Sequence, residues 1–167
     1  MKAELRQLTT NDGREIYDML QQIPASENGF VNTAHGLAFP DFWKWLKRQD
    51  EMSRGQGLEP WMVPQTTYWL YVNDRPVGYG KVRHHLTEDL RNGAGHIGYA
   101  VAPLERNKGY GKTLLRLLLR RAKGLGIEVA LLSVEKDNLP SLQVVEENHG
   151  VFLREDELKN FYLIPTI

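Results

Sequence analysis

Arg106, Lys108, Gly109, Gly111 and Lys112 stand together in the stretch Val101-Ala-Pro-Leu-Glu-Arg-Asn-Lys-Gly-Tyr-Gly-Lys112. Behind them, Leu114, Leu115, Leu118, Leu119 and Ala122 recur at helical spacing, and Gly124 and Gly126 end that helix. Before them, His96-Ile-Gly-Tyr-Ala-Val101 has β-rich content and no helical period. Pro103 closes this strand, because it offers no N–H to a ladder. The glycines therefore fall in a turn from strand to helix. N–H groups in the first turn of a helix lack internal partners, and the helix dipole makes that end positive. Glycine removes the Cβ atoms that would keep a bulky anion away. The chemistry this predicts is the binding of a phosphate or diphosphate. A plain turn with solvated lysines is the competing explanation of the same residues.

Spacing tests which phosphate motif this is. A P-loop requires a glycine, four residues, then Gly-Lys-Ser/Thr; Gly111-Lys112-Thr113 supplies the end, but Arg106 stands at the first glycine. A dinucleotide fingerprint requires a third glycine at the position of Leu114. Neither motif is satisfied. What fits is Arg-x-x-Gly-x-Gly at Arg106, Gly109 and Gly111, preceded by strand-Val-x-Pro. This resembles the acetyl-CoA-binding motif of the GNAT superfamily of N-acetyltransferases. A second stretch, Asn138-Leu-Pro-Ser141, resembles the family's Asn-x-x-Ser motif, although Asn before a first-turn proline is also an ordinary helix cap.

The resemblance implies acetyl-CoA as co-substrate, with no metal. It implies that Arg106, Asn107, Lys108, Gly109, Tyr110, Gly111 and Lys112 hold the diphosphate. It also implies that the backbone of Tyr99, Ala100 and Val101 binds the pantetheine arm, with Asn138 and Ser141 beside it. The implied reaction is transfer of the acetyl group to a primary amine, on a small molecule or a protein, by direct attack in a ternary complex.

The proton transfers are not assigned by the motifs. Many relatives carry a tyrosine seven residues after the Asn, where this chain has Val145. Some carry a glutamate five residues before it, where this chain has Ser133. The remaining candidates are Glu27, His84 and Tyr99, followed by His85, Glu88 and His96. His84 and His85 are adjacent, so on a strand only one can face a cleft.

Several elements must position these residues. Ala3–Leu8 alternates weakly and predicts an opening strand. Thr9-Thr-Asn-Asp starts a helix whose stripe is Ile16, Tyr17, Met19, Leu20 and Ile23. Ala25–Phe39 has no period and reads as a long loop roofing the acceptor site. Pro40-Asp41 opens a second helix, with Phe42, Trp43, Trp45 and Leu46 expected inward. Thr66–Val72 and Val77–His84 form a hairpin around Asn73-Asp-Arg-Pro76. After the glycine turn and its helix, Ile127–Val134 is a mostly apolar central strand. A helix from Asn138 to about Gly150 and two closing strands complete the chain. The order predicts an α/β (α+β) mixed sheet, mostly antiparallel, with helices on both faces, and the resemblance implies a splayed fourth and fifth strand.

With 167 residues the chain is expected to form one domain over residues 1–167. The formal net charge is zero, so nothing global argues for nucleic acid or a membrane as partner. The chain has no cysteine, which excludes disulfides, thiol catalysis and cysteine-ligated zinc. The opening residues lack the apolar core of a signal peptide, so a cytoplasmic location is expected. The family often dimerises, and a homodimer is the oligomeric state this implies. Two other functions compete: a non-catalytic acyl-CoA-binding module, motivated by Val145 and Ser133, and a nucleotide-binding protein using Gly111-Lys112-Thr113.

Overall fold

The computed structural model describes residues 1–167. In chain order the elements are β1 (Ala3–Gln7), α1 (Arg14–Gln22), β2 (Ser26–Glu27), β3 (Phe30–Val31), α2 (Phe42–Ser53), β4 (Gln65–Val72), β5 (Arg75–Arg83), α3 (Glu88–Arg91), β6 (Ile97–Val101), α4 (Tyr110–Gly124), β7 (Val129–Glu135), α5 (Leu139–Glu147), β8 (Val151–Glu155) and β9 (Lys159–Pro165). One sheet has the order β1-β4-β5-β6 and another the order β7-β9-β8. Every pairing within them is antiparallel. No helix is long and apolar enough to cross a membrane.

Strand alternation divides the core in two. On β4, Tyr68, Leu70 and Val72 face α4, whose Leu114, Leu115, Leu118, Leu119 and Ala122 are all buried. Trp69 and Tyr71 face the other way, onto Ile16, Met19 and Leu20 of α1 and Phe42 and Leu46 of α2. Burial on both faces explains the unbroken apolar run of β4. The same alternation puts Ile97, Tyr99 and Val101 of β6 on the α4 side, and Ala100 on the α1/α2 side.

The two sheets meet where β6 begins. Gly95 and Leu132 form an isolated bridge. The His96 N–H donates to Leu131 O at 2.7 Å, and the Leu131 N–H donates to His96 Nδ1 at 2.9 Å. An imidazole thus takes the place of a backbone carbonyl at the last bonded position. Gly95 has φ +68°, and a Cβ there would stand 2.4 Å from Leu131 O, so only glycine allows the approach. Past this point β6 and β7 do not pair, and a gap opens between them.

Two expectations are corrected. Ala25–Phe39 is not a featureless loop. It contains the β2–β3 hairpin, turning at Asn28-Gly29 with φ of +50° and +80°, the signature of a two-residue primed turn. Buried Asn32 pins the chain just beyond the hairpin: its amide donates to Leu20 O and Ile23 O at 2.9 Å, and its Oδ1 accepts from the Tyr79 hydroxyl at 2.9 Å. Trp43 is the second correction. It is 56% exposed, because the buried stripe of α2 is the pair Phe42 and Leu46, one turn apart.

Candidate active-site cleft

The gap between β6 and β7 widens into a cavity of about 930 Å³. It extends from the start of α4 to Lys81, Arg83 and Ala94, and residues 27–31 of the hairpin border it.

Gly109, the N-cap of α4, has φ +82° and no heavy atom within 4 Å of its would-be Cβ. Its glycine is demanded by backbone conformation and not by crowding. Asn107 is also left-handed, at φ +65°. The N–H groups of Asn107, Lys108, Gly109, Tyr110, Gly111 and Lys112 donate to no backbone carbonyl of the chain; the first capping bond comes from Thr113 to Gly109 O, at 3.4 Å. Successive free N–H groups at a positive helix end form a concave anion site. Gly111 contributes differently, since its Cβ would lie 3.4 Å from Val144 Cγ2, so it lets α4 and α5 pack closely.

The cationic side chains are less free than their types suggest. Arg106 donates from Nη2 to Glu27 Oε1 at 2.5 Å, from Nη1 to Glu27 Oε2 at 3.3 Å, and from Nε to Val101 O at 3.0 Å. Lys108 Nζ is 3.0 Å from Glu105 Oε2, and Lys112 Nζ is 3.8 Å from Glu147 Oε2.

The bonding pattern of β6 is set at its ends. Arg83 N–H donates to His96 O and Ala102 N–H to Val77 O, so even-numbered residues of β6 bond β5. The backbone groups of Ile97, Tyr99 and Val101 therefore point into the gap. The Ala100 backbone faces β5, and this residue borders the cavity by its position alone.

Asn138 and Ser141 border the cavity from α5. Asn138 is the N-cap residue of α5, but its side chain makes no cap bond. Ser141 Oγ and the Tyr99 hydroxyl share a hydrogen bond of 2.7 Å. Burial raises the Tyr99 phenol to about 12, against the opposing pull of Ser141, so it is protonated at neutral pH. Val145, at the position of the family's tyrosine, is fully buried in the core.

The sequence model of the Acetyltransferase (GNAT) family matches residues 32–151. The chain belongs to the GNAT acetyltransferase family. No curated protein matches the sequence. Among solved structures, the chain is similar to the N-acetyltransferase PseH of Campylobacter jejuni in complex with acetyl coenzyme A, with 14% identity, 99% of this chain and 100% of that chain covered, and a TM-score of 0.64. It is similar to YncA, a putative acetyltransferase from Salmonella typhimurium with its cofactor acetyl-CoA, with 14% identity, 99% and 94% covered, and a TM-score of 0.66. An acetyltransferase of the GNAT family from Streptococcus pneumoniae matches with 16% identity, 98% of each chain covered, and a TM-score of 0.62. These likenesses are of fold.

The GNAT cleft sorts the remaining acid–base candidates. Glu27 borders it, but both carboxylate oxygens are engaged by Arg106. His84 lies outside it: strand alternation turns it away from the Arg83 side, and its Nε2 shares a 2.7 Å hydrogen bond with Thr66 Oγ1. Burial, then His85, lowers its basicity. His85 is exposed beyond the strand end, and Glu88 opens α3; neither borders the cavity. His96 belongs to the junction of the two sheets. Burial, then the charges of Arg91 and Arg83, holds its imidazole down at about 4. It is thus neutral and accepts through Nδ1.

Sequence inspection missed several charged residues that border the cleft, among them Lys81, Arg83 and Glu135. The first two alternate with Tyr79 on one face of β5, and Glu135 alternates with Ser133 on β7. A polar residue on an otherwise buried strand face was the available signal. Which face of which strand borders the gap depends on the sheet junction, which no local pattern encodes.

Proposed function

We propose that this GNAT protein is an acetyl-CoA-dependent N-acetyltransferase acting on a primary amine, with residues 1–167 forming one such domain. The observation that carries the proposal is the run of N–H groups from Asn107 to Lys112 that donate to no backbone carbonyl, beside a strand edge that pairs with no other strand. A diphosphate at the α4 turn and a pantetheine arm along Tyr99 and Val101 would satisfy both. Asn138 and Ser141 would meet the arm from the other wall. The acetyl-CoA complexes of PseH and YncA support the same coenzyme here.

In the reaction, the amine nitrogen forms a bond to the acetyl carbon, the carbon–sulfur bond breaks, and the thiolate leaves as free CoA after gaining a proton. The nitrogen loses a proton in exchange. Holding the thioester beside the amine makes the step effectively unimolecular. Outward N–H groups of β6 polarise the thioester carbonyl. Tyr99, kept protonated, is the donor to the thiolate. Glu135 faces the cleft with no ion-pair partner and is the base for the ammonium, a role Glu27 cannot take while bound to Arg106.

Release of free CoA with a panel of amines tests this. A second function, acyl-CoA binding without transfer, is favoured by Val145 and Ser133 standing where relatives carry tyrosine and glutamate. It predicts acetyl-CoA binding with no CoA release from any amine.

A further inference from the structure

Lys81 and Arg83 are cations without an anion. Neither takes part in any ion pair of the chain. Both are partly withdrawn from water, and both border the cleft. Lys81 Nζ donates to Val31 O at 2.6 Å and stands 4.8 Å from the Phe30 ring centroid. Arg83 makes one long hydrogen bond, from Nη1 to Gly95 O at 3.3 Å. Most donors of the two side chains are unassigned. Partly buried cations side by side, with only neutral partners, are costly to the fold, and such arrangements are associated with function.

Their position separates them from the coenzyme turn. Lys81 pairs with Gly98, three residues along β6 from Val101, which is roughly 10 Å. They also lie on the other face of the sheet. Gly80 and Val82 of the same strand face α4, and a Cβ at Gly80 would strike Leu118. Lys81 and Arg83 therefore face the hairpin, where Phe30 covers Gly98 at 3.4 Å from its would-be Cβ. Across the gap, Glu135 sits under the hairpin tip, with Oε1 3.4 Å from the would-be Cβ of Gly29. The hairpin side of the cleft thus has a cationic wall on β5 and a carboxylate on β7.

We infer that the acceptor is a small amine that also carries an oxyanion, a carboxylate or a phosphate, held by Lys81 and Arg83 while its ammonium lies toward Glu135. This rests on the transferase function proposed above and names its substrate class. The oxyanion neutralises two like charges, and the guanidinium offers it a bidentate fork. A simple aliphatic monoamine would leave the pair uncompensated, and a polyamine would add repulsion.

The test measures CoA release from acetyl-CoA with glycine, 4-aminobutyrate and O-phosphoethanolamine, against ethanolamine and n-butylamine. The wild type, Lys81→Met, Arg83→Met and Lys81→Arg are compared, and calorimetry measures acetyl-CoA affinity. The expected result is a kcat/KM for an anionic amine about tenfold or more above that of the neutral amines. Each Met variant should remove that preference, mainly through KM. Lys81→Arg should retain part of it. Rates with neutral amines and acetyl-CoA affinity should be unchanged. Preference for carboxylate or for phosphate identifies the oxyanion. Equal use of neutral and anionic amines, or equal loss with both in the Met variants, overturns the inference and leaves the transferase function standing. If no amine releases CoA, it is the transferase function that fails. The same anionic amines titrated calorimetrically into the CoA-saturated protein then decide the inference, and absence of Lys81-dependent binding overturns it.

Discussion

Arg106 and Glu27, distant in sequence, are joined by a two-point ion pair that clamps the β2–β3 hairpin to the turn before α4. The same guanidinium holds Val101 O through Nε. One side chain thereby links the roof of the cleft, the end of β6 and the glycine turn. With these bonds made, Arg106 is placed to fix the shape of the N–H concavity more than to offer its own charge.

Both partners of this pair are 37% exposed, so Glu27→Gln should cost at most about 1 kcal/mol of stability. Its effect on kcat should stay below about tenfold, whereas loss of a general base costs about a hundredfold or more. Denaturant unfolding and initial rates check the two together.

His96 binds a proton more weakly in the folded chain, at about 4, than the ordinary 6.5. The unfolded chain therefore holds more protons between these values, and stability falls as pH drops from 6.5 toward 4. The loss from this residue should reach about 2 kcal/mol, at 1.36 kcal/mol per unit with allowance for partial exposure. Above pH 6.5 it should contribute no slope. Urea unfolding from pH 4 to 8 should show this window, and His96→Asn should flatten it while lowering stability throughout.

Lys81 is shifted in the same sense. Burial first, then Arg83, lowers its ammonium from 10.5 to about 8. Charging it opposes folding below pH 8, so Lys81→Met should be more stable than wild type at pH 7, by about 1 kcal/mol after allowance for partial exposure. Wild type should close that difference as pH rises from 8 to 10.5. Glu135 borders the same cleft from β7 and makes no ion pair with Lys81, and the Tyr79 ring lies 5.9 Å from the Lys81 ammonium. The thermal midpoints of the two proteins across this range provide the comparison.

Tyr99→Phe should keep acetyl-CoA affinity within a factor of about 3 and lower kcat by about 10- to 100-fold, the range of general acid catalysis. Ser141→Ala, which removes the partner of that hydroxyl, should have a smaller effect on kcat.

Much of this architecture was legible in the residues. The leucine stripe of α4 and the Pro103 stop bracketed the glycine turn correctly, because both are local patterns. The aromatic and β-branched content of β4 and the apolar run of β7 likewise marked strands, although β7 is an edge strand of its sheet and not a central one, because its other edge faces the gap beside β6. The β2–β3 hairpin was missed although Asn28-Gly29 is a hairpin signal, because its two-residue strands are too short to alternate. Trp43 was misplaced because two aromatics flanking the true stripe blurred the helical period. Lys81, Arg83 and Glu135 could not be assigned to the cleft, since their placement depends on where β6 and β7 part. That point is set by Gly95, His96 and Leu131 meeting across the fold, a contact between residues distant in sequence.

The claim that the free N–H groups at the start of α4 hold the diphosphate of acetyl-CoA stands or falls on calorimetric titration of acetyl-CoA into wild type and Gly109→Glu, each shown to unfold cooperatively. A would-be Cβ at residue 109 meets no atom, so the variant is expected to fold despite its left-handed backbone, at a cost of about 1–2 kcal/mol. Its carboxylate would stand at the mouth of the anion site. One-to-one binding by wild type and at least about tenfold weaker binding by the folded variant are the predicted results. Equal affinity in the two proteins, or no binding by wild type, would contradict the claim.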